Sequence, residues 1–322
     1  MKAMGVSGYG SIDRLRVLDV PEPMPGAAEV RVRVVASALN PADWKVIEGS
    51  MRFLHGRADP LILGYDVSGT IEATGRAVDQ FHVGDAVFGF LPYGPFNRRG
   101  AFAEVVNMRA DEIARKPPSI SHRSAAAAAT PGLTALQGIA DLGRLPPGGR
   151  LMITGVSGGV GSIGVGIGVR LGAEVVAVGS GAGLEFARRM GATVVWDRTR
   201  GAVPSGAMGR FDVVFDAAAH YRWRDWRTAI RPGGAFVTTL PSAAFFADKA
   251  CTLLTRTRVH LVAVKSRRDA LERVAHWLAD GLAAPIDSVI PVRDVAAGLE
   301  RLKGGHVRGR IVVDVADGFG GG

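Results

Sequence analysis

The segment Gly155-Val156-Ser157-Gly158-Gly159-Val160-Gly161 carries the clearest chemical signal in the chain. Glycines at this spacing permit a sharp turn and a close approach of the backbone to a pyrophosphate. The segment follows the apolar strand pattern Leu151–Thr154, and it precedes a helical pattern at 163–171 and a second strand pattern at 175–178. A helix that starts at such a turn favours an anion at its N-terminus. The pattern predicts a dinucleotide site with the binding residues Gly155, Ser157, Gly158, Gly159, Val160 and Gly161.

The residues that follow the second strand distinguish between the two nicotinamide dinucleotides. An NAD site places Asp or Glu there to bind the ribose hydroxyls, and such a carboxylate repels a 2′-phosphate. This chain has Val178-Gly179-Ser180-Gly181 without an acid, and the Ser180 hydroxyl is suited to bind the 2′-phosphate. The stretch therefore favours NADPH. No Lys or Arg lies within 182–184, so Arg188 and Arg200 are the candidates for the accompanying cation.

Strand and helix patterns divide the chain into two parts. The first third is β-rich, with an alternating strand at Val30–Val35 and further short strands at 66–71 and 86–90. From about Ser124 to Val264, strands alternate with helices, which predicts a parallel doubly wound sheet. We expect an α/β protein with a β-rich catalytic domain over 1–123, a dinucleotide-binding domain over 124–266, and a return of 267–322 to the first domain.

The composition narrows the classes of protein that fit. One cysteine, Cys251, excludes an internal disulfide and a zinc site built from several cysteines. The formal charge of +9 comes from scattered arginines without a basic tail, so we do not expect nucleic acid as a partner. The sequence contains no run of about 18 apolar residues, so we expect no membrane span. The N-terminus also lacks the apolar core of a signal peptide. The expected location is therefore the cytoplasm.

The chain resembles the medium-chain dehydrogenase/reductase superfamily, and within it the zinc-independent quinone oxidoreductases (the zeta-crystallin-like family). Segments in family order carry the resemblance: Ala38-Leu39-Asn40-Pro41-Ala42-Asp43-Trp44-Lys45, Leu63-Gly64-Tyr65-Asp66-Val67-Ser68-Gly69, Val83-Gly84-Asp85-Ala86-Val87, Gly100-Ala101-Phe102-Ala103-Glu104, Leu133-Thr134-Ala135, the glycine-rich segment, and Gly305-His306-Val307-Arg308-Gly309-Arg310. Together they cover almost the whole chain.

The resemblance implies a GroES-like N-terminal domain, a Rossmann domain, a cleft between them and a homodimer. Zinc-dependent relatives hold a catalytic zinc with two cysteines and a His–Glu pair, and the matching positions here are Asn40, Tyr65-Asp66 and Thr130. Asn and Thr are not usual zinc ligands, so we expect no metal site. Hydride transfer from NADPH to a quinone or to an α,β-unsaturated carbonyl is the reaction that needs no Lewis acid.

The resemblance also assigns residues to the reaction. It places Asn40 near the nicotinamide and Thr134 at its edge, and it adds Thr130, Thr134, Ala217 and Leu240 to the cofactor-binding residues. Lys45 is the candidate for polarising a carbonyl or donating a proton, and Tyr65 is the second candidate. Each has a structural alternative: Asn40 as a turn former, Lys45 as a solvated lysine, and Tyr65 as a wall of the cleft.

Two other functions remain open at this point. An enoyl reductase that acts in trans in a biosynthetic pathway fits the same motifs and differs only in its carrier-linked or coenzyme A-linked substrate. A non-catalytic regulatory protein that binds NADPH, and RNA through its basic surface, belongs to a different class. Reductase activity, or salt-dependent RNA affinity without it, separates the two classes.

Overall fold

A computed structural model describes residues 1–50, 52, 59–93, 99–201, 210–239, 242–252, 255–305, 307–316 and 318–319. The described chain forms two compact units. Unit 1 contains Met1–Thr130, Lys265–Asp280 and Ile286–Gly322, and unit 2 contains Pro131–Val264 and Gly281–Pro285. The first domain boundary, predicted between 123 and 124, is observed after Thr130, further along the same helix. The second, predicted between 266 and 267, is observed after Val264.

The strands of the described chain are, in order, β1 (Lys2–Val6), β2 (Arg16–Asp19), β3 (Glu29–Ala38), β4 (Leu61–Ile62), β5 (Asp66–Thr74), β6 (Ala86–Phe90), β7 (Val105–Arg109), β8 (Ile113–Arg115), β9 (Arg150–Thr154), β10 (Glu174–Gly179), β11 (Val194–Asp197), β12 (Phe211–Asp216), β13 (Ile230–Thr238), β14 (Arg258–Leu261), β15 (Ile286–Pro291) and β16 (Arg310–Asp314). The α-helices are α1 (Pro41–Ile47), α2 (His122–Leu136), α3 (Gly159–Arg170), α4 (Ala182–Arg189), α5 (Trp223–Trp226), α6 (Ala243–Cys251), α7 (Arg268–Ala279) and α8 (Val295–Lys303).

Unit 1 is built on two largely antiparallel sheets. The larger sheet has the strand order β15-β16-β3-β5-β6-β8, with β7 also paired to β3, and the smaller has the order β2-β1-β4. Strand β3 is at the centre of the larger sheet, and its alternating Val30, Val32 and Val34 are buried as the period-two pattern predicts. The short strands β15 and β16 at the C-terminal end of the chain join this sheet.

Unit 2 contains one parallel sheet with the order β11-β10-β9-β12-β13-β14. Strand β12 is buried along its whole length, as expected where helices cover both faces of a parallel sheet. The chain leaves β9 for β10 on one side and later returns to β12 on the other side. The strand order therefore reverses at β9, which is where open α/β sheets bind their ligands. The predicted doubly wound sheet is confirmed.

Helix α2 begins at His122, contains the alanines at 125–129 and continues without a break through Pro131. The residues that follow it directly, Gln137–Leu142, form a π-helix. The alanines at 125–129 are fully buried, so packing supports the helix where Pro131 lacks the N–H needed for a backbone hydrogen bond. Within the described ranges, the longest apolar helices fall short of what a membrane crossing requires.

Candidate functional site

The glycine-rich turn of unit 2 connects β9 to α3 by direct backbone packing. Gly155 has a φ of +72°, a conformation that favours glycine. A Cβ on Gly161 would lie 2.4 Å from the carbonyl oxygen of Gly155, so the first turn of α3 packs on the end of β9 with no room for a side chain. These two glycines are required by the fold of the turn itself.

Gly158 has a different environment from its neighbours. It is the N-terminal flanking residue of α3, and a Cβ built on it would meet, among the described residues, only the Gly155 oxygen, at 3.5 Å. The first N–H groups of α3 have no partner within the helix, and the turn from Ser157 to Val160 is only half-buried. Within the part of the chain that the structure describes, the turn thus presents free amides beside an open space, which is the arrangement that a pyrophosphate needs.

The loop after β10 lies against this turn. The Ser157 hydroxyl donates to the Ser180 carbonyl oxygen at 2.9 Å. Ser180 is half-buried and carries no acid beside it, but Asp197 ends the neighbouring strand β11, in register with Gly179. The Asp197 carboxylate accepts from the backbone N–H and the hydroxyl of Thr199, at 3.0 and 2.7 Å, and these bonds lower its pKa.

The carboxyl ends of β9 and β12 are joined by a buried side-chain pair. The Thr154 hydroxyl donates to Asp216 at 2.6 Å, and the Tyr221 N–H donates to the other Asp216 oxygen at 3.0 Å. Burial raises the pKa of Asp216 above its usual range. Ala217 follows directly and is half-buried, so this predicted cofactor residue lies at the same sheet edge as the glycine turn. Leu240, predicted with it, lies outside the described residues.

Three polar residues of unit 1 converge because of strand register. Strand β3 lies between β5 and β16, with Ala36 opposite Ser68 and Ala38 opposite Val312. Extending both antiparallel registers past the end of β3 brings Asn40 beside Arg310 and places Asp66 at the adjacent strand start. Asp66 therefore contacts both Asn40, 26 residues before it in the sequence, and Arg310, 244 residues after it.

The side-chain amide of Asn40 is held on both sides. Its Nδ2 donates to Asp66 Oδ2 at 2.8 Å, and its Oδ1 accepts from Arg310 Nη1 at 3.0 Å. Arg310 Nη2 also pairs with Asp66, whose other oxygen accepts from the Thr130 N–H at 2.7 Å. Asn40, Asp66 and Arg310 are all at most 6% exposed. The arrangement fixes the amide orientation of Asn40 and gives the buried carboxylate a charged partner.

Asp43 is a second buried carboxylate next to this network. One oxygen accepts from the Asn40 N–H at 2.7 Å, and the other accepts from the Gly64 N–H at 3.0 Å. Burial raises the pKa of Asp43 to about 7, with a further contribution from the negative charge of Asp66. Asp43 thus connects the start of α1 to the chain before Tyr65.

A zinc ion does not fit this donor set. The guanidinium of Arg310 occupies the contacts of Asp66 and Asn40 that a cation would need, and neither Asn nor Thr is a usual zinc ligand. In the part of the chain that the structure describes, no three His, Cys, Asp or Glu side chains are grouped for a metal. The positive charge at this position belongs to the protein itself.

Two tyrosines pack beside the network. Tyr65, with 3% exposure, has its ring 4.4 Å from that of Tyr93 in an edge-on contact, and Phe90 lies 5.0 Å from Tyr93. Burial raises the pKa of both phenols well above the usual range, and the charge of Asp43 adds to it in each case. Tyr93 remains partly exposed, and its hydroxyl makes no hydrogen bond with a described residue.

Two further residues of the predicted site are Lys45 in α1 and Thr134 in α2. The Lys45 ammonium lies 5.5 Å from the centre of the Trp44 ring, and Lys303 lies 5.6 Å from the same ring. Partial burial lowers the pKa of Lys45. Thr134 is buried in α2, one turn after Thr130.

Sequence reasoning did not assign a role to Tyr93, Arg310 or Asp197. Asp66 and Arg310 fall within the family segments, but the direct contact between them depends on the placement of β16 next to β3. Tyr93 follows the strand partner of Asp66, Phe90, by three residues. Only a correct pairing of β5 with β6 would have revealed that position.

Comparisons with known proteins agree with this architecture. The model described as "Alcohol dehydrogenase GroES-like domain" matches residues 26–118, and the model described as "Zinc-binding dehydrogenase" matches residues 190–313. The chloroplastic quinone-oxidoreductase homolog of Spinacia oleracea is 29% identical over 326 residues, with 98% of each chain covered. The mitochondrial NAD(P)H oxidoreductase RTN4IP1 of Mus musculus is 30% identical, with 89% of this chain and 82% of that protein covered.

A solved structure shares the fold over nearly the whole length. The quinone oxidoreductase from Coxiella burnetii superposes with a TM-score of 0.85 at 24% identity, covering 98% of this chain and 99% of that chain. The predicted combination of a GroES-like domain with a Rossmann domain is confirmed.

Proposed function

The chain belongs to the medium-chain dehydrogenase/reductase superfamily of NAD(P)H-dependent oxidoreductases, and we propose that it transfers a hydride from NADPH to a quinone or to an α,β-unsaturated carbonyl. The observation that carries the proposal is the glycine turn of unit 2, with its free amides and the open space beside Gly158. The names of the relatives from Spinacia oleracea and Coxiella burnetii support a quinone as acceptor.

The cofactor is held by groups of unit 2. The turn from Gly155 to Gly161 binds the pyrophosphate through the N–H groups of α3. Ser180 binds the 2′-phosphate, and the absence of an acid at 178–181 removes the repulsion that an NAD site would exert. Ala217 and Thr134 remain the proposed contacts for the nicotinamide end. When bound, NADPH supplies the hydride, and the protein supplies its position.

The acceptor is polarised by groups of unit 1. Arg310 and Asp66 keep the Asn40 amide in one orientation, so Asn40 is a positioned polar group rather than a mobile one. Reduction places negative charge on the acceptor oxygen, and a positioned hydrogen-bond donor stabilises that charge. The candidate donors are Lys45, Tyr65 and Tyr93. Among them, Tyr93 combines partial exposure with a hydroxyl that no described residue engages.

The donor set of unit 1 also determines which acceptors suit the site. A buried guanidinium cannot accept an alkoxide into its coordination sphere as zinc does, so oxidation of an unactivated alcohol lacks its usual Lewis acid. Quinones and conjugated carbonyls are electron-poor and accept a hydride without one. The proposed direction is therefore reduction, and the proposed assembly, from the family resemblance, is a homodimer.

A panel of acceptors tests the proposal. Purified protein is incubated with NADPH and with small quinones, simple enones, enoyl-coenzyme A thioesters or saturated ketones, and the products are identified by mass spectrometry. Reduction of quinones or enones supports the proposal. Exclusive reduction of the thioesters assigns the enoyl-reductase role instead. Tight NADPH binding without any product, together with salt-dependent RNA affinity, contradicts the proposal and supports a regulatory protein.

A further inference from the structure

Two loops of unit 2 meet at the hydroxyl of Ser157. Ser157 lies in the glycine turn after β9, and Ser180 is the first residue after β10. The Ser157 hydroxyl donates to the Ser180 carbonyl oxygen at 2.9 Å, and the Ser180 N–H lies 3.5 Å from the same oxygen of Ser157. One side chain thus binds both backbone groups of the residue proposed to contact the 2′-phosphate.

The contact between these loops leaves no room for another side chain. A Cβ on Gly179 would lie 2.6 Å from the Val156 side chain, and a Cβ on Gly183 would lie 2.4 Å from the Ser157 hydroxyl and 2.6 Å from its Cα. Rotation of the Ser157 side chain would not relieve a clash with its Cα. The backbone at Gly179 and Gly183 consequently packs directly on Val156 and Ser157, and the Ser157 hydroxyl is placed in the contact.

The bond from Ser157 fixes one peptide plane. Because the peptide is planar and trans, a Ser180 carbonyl that faces Ser157 turns the Gly181 N–H to the opposite side. Gly181 has a φ of +57° and precedes the first residue of α4, so this peptide sets how the loop enters the helix. The Ser180 side-chain hydroxyl makes no hydrogen bond with a described residue.

From this geometry we propose that Ser157 is a positioning residue for cofactor selection: it orients the Ser180 loop for the 2′-phosphate and is not itself a pyrophosphate ligand. The inference rests on the proposed preference for NADPH. A pyrophosphate ligand would act on NADPH and NADH alike, since both contain that group. A residue that orients the Ser180 loop for the 2′-phosphate acts more strongly on NADPH than on NADH, because NADH lacks that phosphate.

Equilibrium binding separates these two roles. The dissociation constants of NADPH and NADH are measured by fluorescence titration for the wild type and for Ser157→Ala. We expect Ser157→Ala to weaken NADPH about three- to tenfold, the effect of one hydrogen bond, while NADH changes by less than about twofold. Equal weakening of both cofactors contradicts the inference and makes Ser157 a direct pyrophosphate ligand.

Ser162→Ala is the matched control. Its hydroxyl donates to the Gly159 carbonyl oxygen, also at 2.9 Å, one turn further along the same segment. We expect it to leave the ratio of the two dissociation constants unchanged. Gly183→Ala disturbs the Ser157 contact from the opposite side and should lower NADPH selectivity in the same direction as Ser157→Ala.

A double-mutant cycle tests whether Ser157 acts through Ser180. In a Ser180→Ala background, the effect of Ser157→Ala on NADPH affinity should largely disappear, because the group that it positions is gone. Full additivity of the two changes contradicts the inference. A wild type that binds NADH as tightly as NADPH refutes the proposed cofactor preference, and the inference falls with it. A preference that survives Ser157→Ala refutes only the role of Ser157.

Discussion

Asp43 shows how burial controls the charge of a single residue. The folded chain encloses the carboxyl group and raises its pKa to about 7, whereas the unfolded chain leaves it near the ordinary value of 3.8. Between these two values the unfolded chain releases a proton that the folded chain retains. The contribution of Asp43 to stability is therefore complete below about pH 4 and is lost as the pH rises to about 7.

We predict a pH-dependent difference between the wild type and Asp43→Asn, which has no titrating group at this position. As the pH rises from 4 to 7, the free energy of unfolding of the wild type should fall relative to the variant by on the order of 4 kcal/mol. Urea unfolding at several pH values measures this difference.

Asp111→Asn is the control for the pH experiment. Arg109 holds the pKa of this exposed carboxyl below its usual value, so it is ionised in both states above about pH 4. Its difference from the wild type should stay flat between pH 4 and pH 7. A flat profile for Asp43→Asn as well would show that Asp43 is ionised in the folded protein throughout this range.

Tyr93 and Tyr65 allow a comparison of two neighbouring phenols. Tyr93 is partly exposed with a hydroxyl that no described residue engages, and Tyr65 is almost completely buried. We predict that Tyr93→Phe lowers kcat/KM for an enone or quinone by about 10²-fold, the effect of removing one oxyanion donor. Steady-state kinetics at saturating NADPH measures the loss.

Tyr65→Phe serves as the matched variant in that comparison. It removes the same hydroxyl from the ring that contacts Tyr93 at 4.4 Å, and we expect a smaller effect on kcat/KM. Both variants should bind NADPH as the wild type does. A larger effect of Tyr65→Phe would assign the donor role to Tyr65, and no effect of either variant would leave Lys45 as the donor.

At the scale of elements, two glycines of one turn should respond differently to the same substitution. A Cβ on Gly161 would lie 2.4 Å from the Gly155 oxygen and 2.6 Å from its carbonyl carbon, which are both backbone atoms. We predict that Gly161→Ala separates α3 from β9 and lowers both the melting temperature and NADPH affinity. Thermal unfolding and fluorescence titration measure the two effects.

Gly158→Ala is the variant to compare with Gly161→Ala. Of the residues that the structure describes, its Cβ would meet only the Gly155 oxygen at 3.5 Å, an ordinary contact, so the melting temperature should stay within about 2 °C of the wild type. Affinity for NADPH should nevertheless fall, because the methyl group enters the open space beside the free amides. Unchanged affinity for both dinucleotides would place the pyrophosphate elsewhere.

The elements differ in how far the sequence predicts them. The glycine turn is a local signal, because its strand, turn and helix all lie between residues 150 and 170. The predicted order of strand, turn and helix is confirmed by β9 and α3. The Asn40–Asp66–Arg310 network is not local. It depends on β3 pairing with both β5 and β16, and pairing between distant strands is not encoded in any short segment.

At the scale of the whole molecule, each unit carries one part of the proposed chemistry. Unit 2 provides the glycine turn at the point where its strand order reverses, and unit 1 provides the network in which the Arg310 guanidinium pairs with the buried Asp66 carboxylate. These separate roles of the two units agree with a reductase in which the cofactor supplies the hydride and the protein positions the cofactor. A chelator should accordingly leave the activity unchanged.

The decay of NADPH absorbance, after the protein is mixed with a small quinone or enone in the presence of a chelator, tests the proposed reaction most directly. We predict catalytic consumption of NADPH, with one equivalent of reduced acceptor formed per NADPH and slower consumption of NADH under the same conditions. Binding of NADPH without its consumption, across quinones and enones alike, would contradict it.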